Sequence, residues 1–272
     1  MKTKISLLLL AIVAFIATSC EPINGPKNTP YFSVSPKQKV VFSPGNLQYK
    51  ASTKEWCFAP SQYNYIGENN IKISDTYSGW IDLFGWGTGD NPTLKSNQNS
   101  DYDRFVDWGA NSINGDPFHT WRTLSSDEWD YLVFNRPNAR ALIGVAQVNG
   151  VNGIILLPDN WIAPDSILFI SGMHRDYYDN GYALHQTFST GQWSVLEQQG
   201  AIFLPAAGKR SFRGIHPSTM QVSGTEEYGF YWTSTEKSSR AIFLYFEDSG
   251  ITVDSHGLNQ KEGYSVRLVK NL

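Results

Sequence analysis

Cysteine is nearly absent from this chain. Cys20 and Cys57 are the only two in 272 residues, so no disulfide framework can be built and an exported form must rest on its own core. Charge is also scarce, at 17% of residues, and the balance of 22 basic against 25 acidic side chains lacks the basic footprint of a nucleic-acid binder. The histidines, His119, His174, His185, His216 and His256, are scattered, and none stands four residues from another. No HExxH, no paired Cys/His ligand spacing and no GxSxG elbow occurs, which removes the zinc-peptidase and serine-hydrolase signatures. Heptads, tandem periods and long charge runs are missing too.

What is present begins with a leader. Lys2 and Lys4 precede an almost unbroken apolar run over residues 5–17, and Ala17-Thr18-Ser19 are small residues placed directly before Cys20. This is a secretory signal whose apolar core is short for spanning a bilayer. A cysteine after such a site resembles the bacterial lipobox, although Ala17 stands where that pattern favours Leu. The resemblance implies removal of residues 1–19, a diacylglycerol on the Cys20 thiol, and a lipid-anchored protein of the cell envelope, at the outer membrane or cell surface. The mature chain then loses two lysines and carries 20 basic against 25 acidic groups, net −5. Residues 20–30 hold three prolines and read as a tether, leaving 31–272 as the folded domain. With Cys20 lipidated, Cys57 has no partner, and between Trp56 and Phe58 it reads as a small buried hydrophobe.

Aromatic residues are abundant, with 9 Trp, 14 Tyr and 15 Phe beside 23 Gly, as expected of a loop-rich domain that is mainly β or α+β. Short apolar runs bounded by Ser and Gly breaks predict antiparallel strands at 203–210 (FLPAAGKR), 229–235 (GFYWTST), 241–246 (AIFLYF), 251–254 (ITVD) and 264–269 (YSVRLV). The polar inserts 236–240 and 255–262 are then loops, and rigid strands carrying loops suit a binding surface. Residues 40–42 and 47–49 predict a hairpin through Ser43-Pro44-Gly45-Asn46, followed by a strand at 55–58. A second hairpin is predicted from 145–148 and 154–157 around Asn149-Gly150-Val151-Asn152-Gly153.

Helix signals are two. Ser125 with Glu128 forms a capping box; Trp129, Leu132 and Val133 then share a face, and Pro137 stops the helix. A second helix runs over 191–199, opened by Ser189 or Thr190 and ended by Gly200. Two helices among many short strands indicate an α+β fold. In the glycine-punctuated stretch 78–92, Trp80, Phe84 and Trp86 read as core plugs under a long loop in preference to sugar-stacking platforms, and 163–188 reads as surface loop.

Taken in order, VFSPGNLQY (41–49), YSGWIDLFGWGT (77–88), WRTLSSDEW (121–129), VNGVNGIILLPDNW (148–161), FLPAAGKR, YWTST and YSVRLV resemble a family of Bacteroides-type exported lipoproteins. The family's domain is similar to the C-type-lectin-like fold in its formylglycine-generating-enzyme variety. The resemblance implies a surface module that binds a protein or glycan ligand. Some relatives are variable proteins of diversity-generating retroelements, which diversify the last strands and loops. Transferred by position, that segment runs over 232–267. Glu236, Lys237, Ser239, Arg240, Asp248, His256, Asn259 and Gln260 become the exposed ligand contacts, while Trp232, Leu244, Phe246, Val266 and Leu268 become scaffold.

Enzyme readings find less support. Formylglycine-generating enzymes use two late cysteines, and none follows Cys57. The related iron-dependent sulfoxide synthases use clustered histidines that this chain lacks. A glycan-processing accessory enzyme could draw a carboxylate pair from Asp101, Asp103, Asp107, Glu247 and Asp254, although no spacing selects two of them. No cofactor is expected; calcium stays open at Asp101, Asp103 and Asp107, without the remaining ligands of an EF-hand loop. A fimbrial or envelope subunit is the structural alternative, and it should offer a strand edge for polymerisation.

Overall fold

The computed structural model describes residues 29–172, 186–212, 219–248, 250–254 and 256–272. The leader, Cys20 and most of the tether lie outside them, as do His174, His185 and His216.

Strands β1 (Phe32–Ser33), β2 (Lys39–Phe42), β3 (Leu47–Lys50), β4 (Glu55–Phe58) and β5 (Trp80–Ile81) precede β6 (Arg122–Thr123) and helix α1 (Ser126–Asp130). Next come β7 (Ile143–Val148), β8 (Val151–Leu156), β9 (Thr187–Phe188), helix α2 (Thr190–Gln198), β10 (Ile202–Pro205) and β11 (Ala207–Phe212). The remaining strands are β12 (Met220–Thr225), β13 (Gly229–Lys237), β14 (Arg240–Glu247), β15 (Gly250–Val253) and β16 (Leu268–Asn271). They form four sheets, ordered β1-β2-β16-β6, β4-β3-β5, β10-β8-β7-β9 and β12-β11-β13-β14-β15. Few helices among many strands make this an α+β protein.

Both helices start as their sequences dictate. Ser125 Oγ accepts from Glu128 N at 3.2 Å while the Glu128 carboxylate accepts from Ser125 N at 2.8 Å, and Ser189 and Gln192 repeat the exchange. Beyond α1 the chain widens into a π turn over Tyr131–Asn135, and Arg136 turns extended ahead of Pro137. Trp129, Leu132 and Val133 bury one face against Phe42, Leu156 and Leu244. Gly200, with φ +92°, ends α2. The β7–β8 turn is tighter than its glycines indicated. Asn149 and Gly150 alone reverse the chain at φ 51° and 81°, so 151–153 belong to β8.

The expected hairpin of 40–42 with 47–49 does not form. Ser43 N donates to Leu268 O at 2.8 Å and Leu47 N to Val266 O at 2.9 Å, so both flanks of the turn dock on the C-terminal segment. β2 then pairs with β1 and β16, whereas β3 pairs with β4 and β5. Glycine is required in that turn because a Cβ at Gly45 would stand 2.5 Å from Ala59 O. The short strands β1, β5 and β6 were not marked by the apolar pattern, and neither were β9 and β12. β12 is largely polar with only Val222 buried, and β9 lies inside the stretch read as loop, pairing in parallel with β7.

The largest core is aromatic. Trp232 stacks on Tyr264 at 4.2 Å between ring centroids and Phe230 on the same ring at 4.9 Å, contacts worth about 0.5–1.5 kcal/mol each beyond burial. Phe84 and Trp86 are plugs in this core, as expected, while Trp80 is only half-buried and lies beneath Lys50.

Candidate functional site

The expected loop 236–240 is shorter than the sequence indicated. Glu236 and Lys237 end β13 and Arg240 opens β14, paired as Glu236 with Ala241 and Lys237 with Arg240. Only Ser238 and Ser239 form the turn, at φ 52° and 58°, the tight geometry that matches strand twist. A second segment folds against this tip. Ala241 and Leu258 exchange both backbone hydrogen bonds, at 3.2 and 3.1 Å, and Asp254 N donates to Phe243 O at 3.0 Å. Asp254 Oδ1 accepts from His256 N at 2.7 Å and from Gly257 N at 3.3 Å. Gly257, at φ +65°, packs so closely that a Cβ there would stand 2.8 Å from that of Arg240. The backbone therefore sets His256 beside the Arg240 end of the hairpin. Glu236, Lys237, Ser239, Arg240, His256 and Asn259 are all exposed.

Two of the expected contact residues are not part of this face. Gln260 is buried, with its Oε1 accepting from Asn99 Nδ2 at 2.9 Å and its backbone carbonyl accepting from Trp86 N. Lys261 Nζ reaches Asn97, so an upstream loop clasps 260–261 and removes Gln260 from solvent. Asp248 follows the far end of the eight-residue strand β14, about 26 Å from Arg240 along the strand. There it lines a separate pocket with Glu226, Glu227 and Glu247.

The tip rests on a rigid base. Trp86 Nε1 donates to Thr233 O at 2.9 Å, and Trp232 Nε1 donates to Phe84 O at 2.7 Å, so each tryptophan bonds the backbone beside the other. The register of β13 shifts between Trp232 and Glu236, where Thr233 Oγ1 donates to Ile242 O and Ser234 N to Leu124 O. Ser126 N donates to Thr235 Oγ1 at 2.9 Å, which docks α1 against the hairpin. Between them lies an open cleft of about 330 Å³, lined by Asp127 and Asp130 of α1 and by Thr235, Glu236, Lys237, Ile242 and Val253. Sequence reasoning gave α1 a scaffold role only. The two aspartates were visible as exposed charge, but their place beneath the hairpin comes from long-range docking.

The remaining candidates are mostly engaged elsewhere. Asp107 accepts from Gly109 N, Thr123 N and Thr123 Oγ1, and Asp254 caps its own turn, so two of the five carboxylates offered for catalysis hold backbone. Asp101 and Asp103 line a polar pocket that also contains Asp90 and Arg104. Among the described residues, no group of three or more His, Cys, Asp or Glu side chains is placed to hold a metal ion. Cys57 is half-buried, and burial with the charge of Glu55 pushes its thiol up to about 11. The carboxylate that burial shifts to a physiologically useful range is one that sequence did not flag. Asp82 is fully buried and raised to about 6, against the opposing pull of hydrogen bonds from Asn70 and Ile66.

The family model of a domain of unknown function, DUF8237, matches residues 187–269, a span that contains α2, all five strands of the β12-β11-β13-β14-β15 sheet and the exposed tip. No curated protein and no solved structure matches the chain. Among the described residues, no helix is long and apolar enough to cross a membrane.

Proposed function

We propose that this chain is a non-enzymatic ligand-binding module of the cell envelope, anchored by lipid at Cys20 and built on a C-type-lectin-like domain. The ligand, a surface protein or glycan, is held on the face made by the 236–240 hairpin tip and by residues 256–259. One observation carries this reading. Six polar side chains, four at the tip of a hairpin and two on the segment hydrogen-bonded against it, are each exposed, while the base of that hairpin is built into an aromatic core. That is the division of labour of a binding site, adaptable polar groups on an immobile frame.

The test is a glycan-array and host-protein-array screen of residues 31–272 beside the Arg240→Ala, His256→Ala double variant. The expected result is a ligand retained by the wild type and lost by the variant at unchanged melting temperature. A variant that unfolds would show the two residues to be structural and the site to be misassigned.

A further inference from the structure

Within that proposed binding face, the charges of the hairpin tip are arranged against the stability of the protein. Lys237 and Arg240 are direct cross-strand partners, and like charges in that position repel. Among the described residues neither makes an ion pair, although the chain as a whole is net negative. Glu236 adjoins them, but its register partner is Ala241. The turn between the two cations adds a second cost. Ser238 and Ser239 both adopt left-handed backbone at φ 52° and 58°, where Asn-Gly is the favoured pair. What serine supplies there and glycine does not is a hydroxyl that donates and accepts. His256, with its side chain 91% exposed, stands beside the same end of the hairpin.

Local costs of this kind cluster at binding sites, where the ligand offsets them. We propose that the tip of β13 and β14 recognises an acidic saccharide, with Lys237 and Arg240 sharing one carboxylate of a sugar acid and Ser238 and Ser239 engaging its hydroxyls. This rests on the binding reading above and narrows it to a ligand chemistry. The neighbouring cleft selects among anions. Asp127, Asp130 and Glu236 on its walls repel a densely charged polymer such as nucleic acid, yet each carboxylate accepts hydrogen bonds from neutral hydroxyl groups. A chain rich in hydroxyls with one carboxylate per repeat meets both demands. Polyglutamate meets only the first, because its side chains bring carboxylates and no hydroxyls.

Retention of residues 31–272 is measured on four immobilised polymers: a polyuronic acid, neutral dextran, heparin and polyglutamate. The polyuronic acid is expected to retain the protein at low salt, at least tenfold more than dextran or polyglutamate, and to release it as salt rises. Lys237→Gln with Arg240→Gln should abolish retention while the melting temperature holds or rises, because the cross-strand repulsion is removed with the charges. Ser238→Asn with Ser239→Gly should raise the melting temperature while weakening retention several-fold, an outcome that no structural role for the serines produces. Asp127→Asn with Glu236→Gln should bring in heparin. If dextran or polyglutamate retains the protein equally, or if the charge-neutral variant still binds the polyuronic acid, the acidic-saccharide assignment is overturned while the binding module stands. If neither these polymers nor the arrays retain anything, both fall together.

Discussion

Arg267 and Glu197 are linked without touching, because the amide of Gln62 stands between them. Its Oε1 accepts from Arg267 Nη2 and, at 2.9 Å, from Phe203 N, while its Nε2 donates to Glu197 at 2.9 Å and to Ala201 O at 3.2 Å. Every hydrogen-bonding place of the amide is filled. Burial pulls the Arg267 guanidinium down to about 10 against the upward pull of Tyr231 and Glu197. Gln62→Leu leaves a buried cation and a buried backbone N–H short of partners, and urea unfolding should show a loss of about 3–5 kcal/mol. Gln62→Glu should cost less, since it meets Arg267 with charge even as it repels Glu197. A loss below about 1 kcal/mol for the leucine variant would mean that the cation finds another partner.

The crossed tryptophans should behave as a coupled pair. Trp86→Phe and Trp232→Phe each remove one indole N–H from a buried carbonyl, at about 1–3 kcal/mol. Phe84 O keeps a second donor in Tyr264 N, so the hydrogen-bond part of the loss should be larger for Trp86→Phe. A double-mutant cycle should return a coupling of about 0.5–3 kcal/mol; strict additivity would show that the two bonds are independent.

Asp82 predicts an unusual pH dependence. Its folded value of about 6 lies above its ordinary value of 3.8, so the native state holds a proton that the unfolded chain releases. The contribution of this group is then greatest below about pH 4 and is lost as pH rises through 6, by about 3 kcal/mol in all. Asp82→Asn removes the titration, so the stability of the variant relative to wild type should climb between pH 4 and pH 7. A flat difference across that range would refute the assignment.

Cys57 should be a poor nucleophile. A thiol pushed up to about 11 carries little thiolate near neutral pH, and alkylation of the native protein at pH 7.5 should run far slower than that of a free thiol. Unfolding should restore the ordinary rate.

Several local rules in the sequence hold in the structure, although the strand read at 264–269 forms only at Leu268–Asn271. Ser125 with Glu128, Ser189 with Gln192, and Asn149-Gly150 each carry their geometry within four residues, and the apolar runs around Tyr231 and Phe243 form strands that are buried on both faces. The exposed tip was legible for the same reason, since polar inserts between apolar runs have nowhere to go but out. What could not be read depends on partners far along the chain. Gln260 looks like a solvated loop residue until Asn99 closes over it, and Ser43-Pro44-Gly45-Asn46 looks like a hairpin turn until Leu268 and Val266 claim its two flanks. β12 carries too few apolar residues to announce itself, and β11 alone fixes its pairing.

The position of β16 bears on quality control of the chain. This strand, formed by Leu268–Asn271, is not at the rim of its sheet but inside it, between β2 and β6. Its neighbours are made long before it, and they present unpaired edges until it arrives. A copy cut short by premature termination or by a protease therefore cannot settle into a slightly smaller native state. It keeps those edges open and is marked, by its own incompleteness, for aggregation or removal.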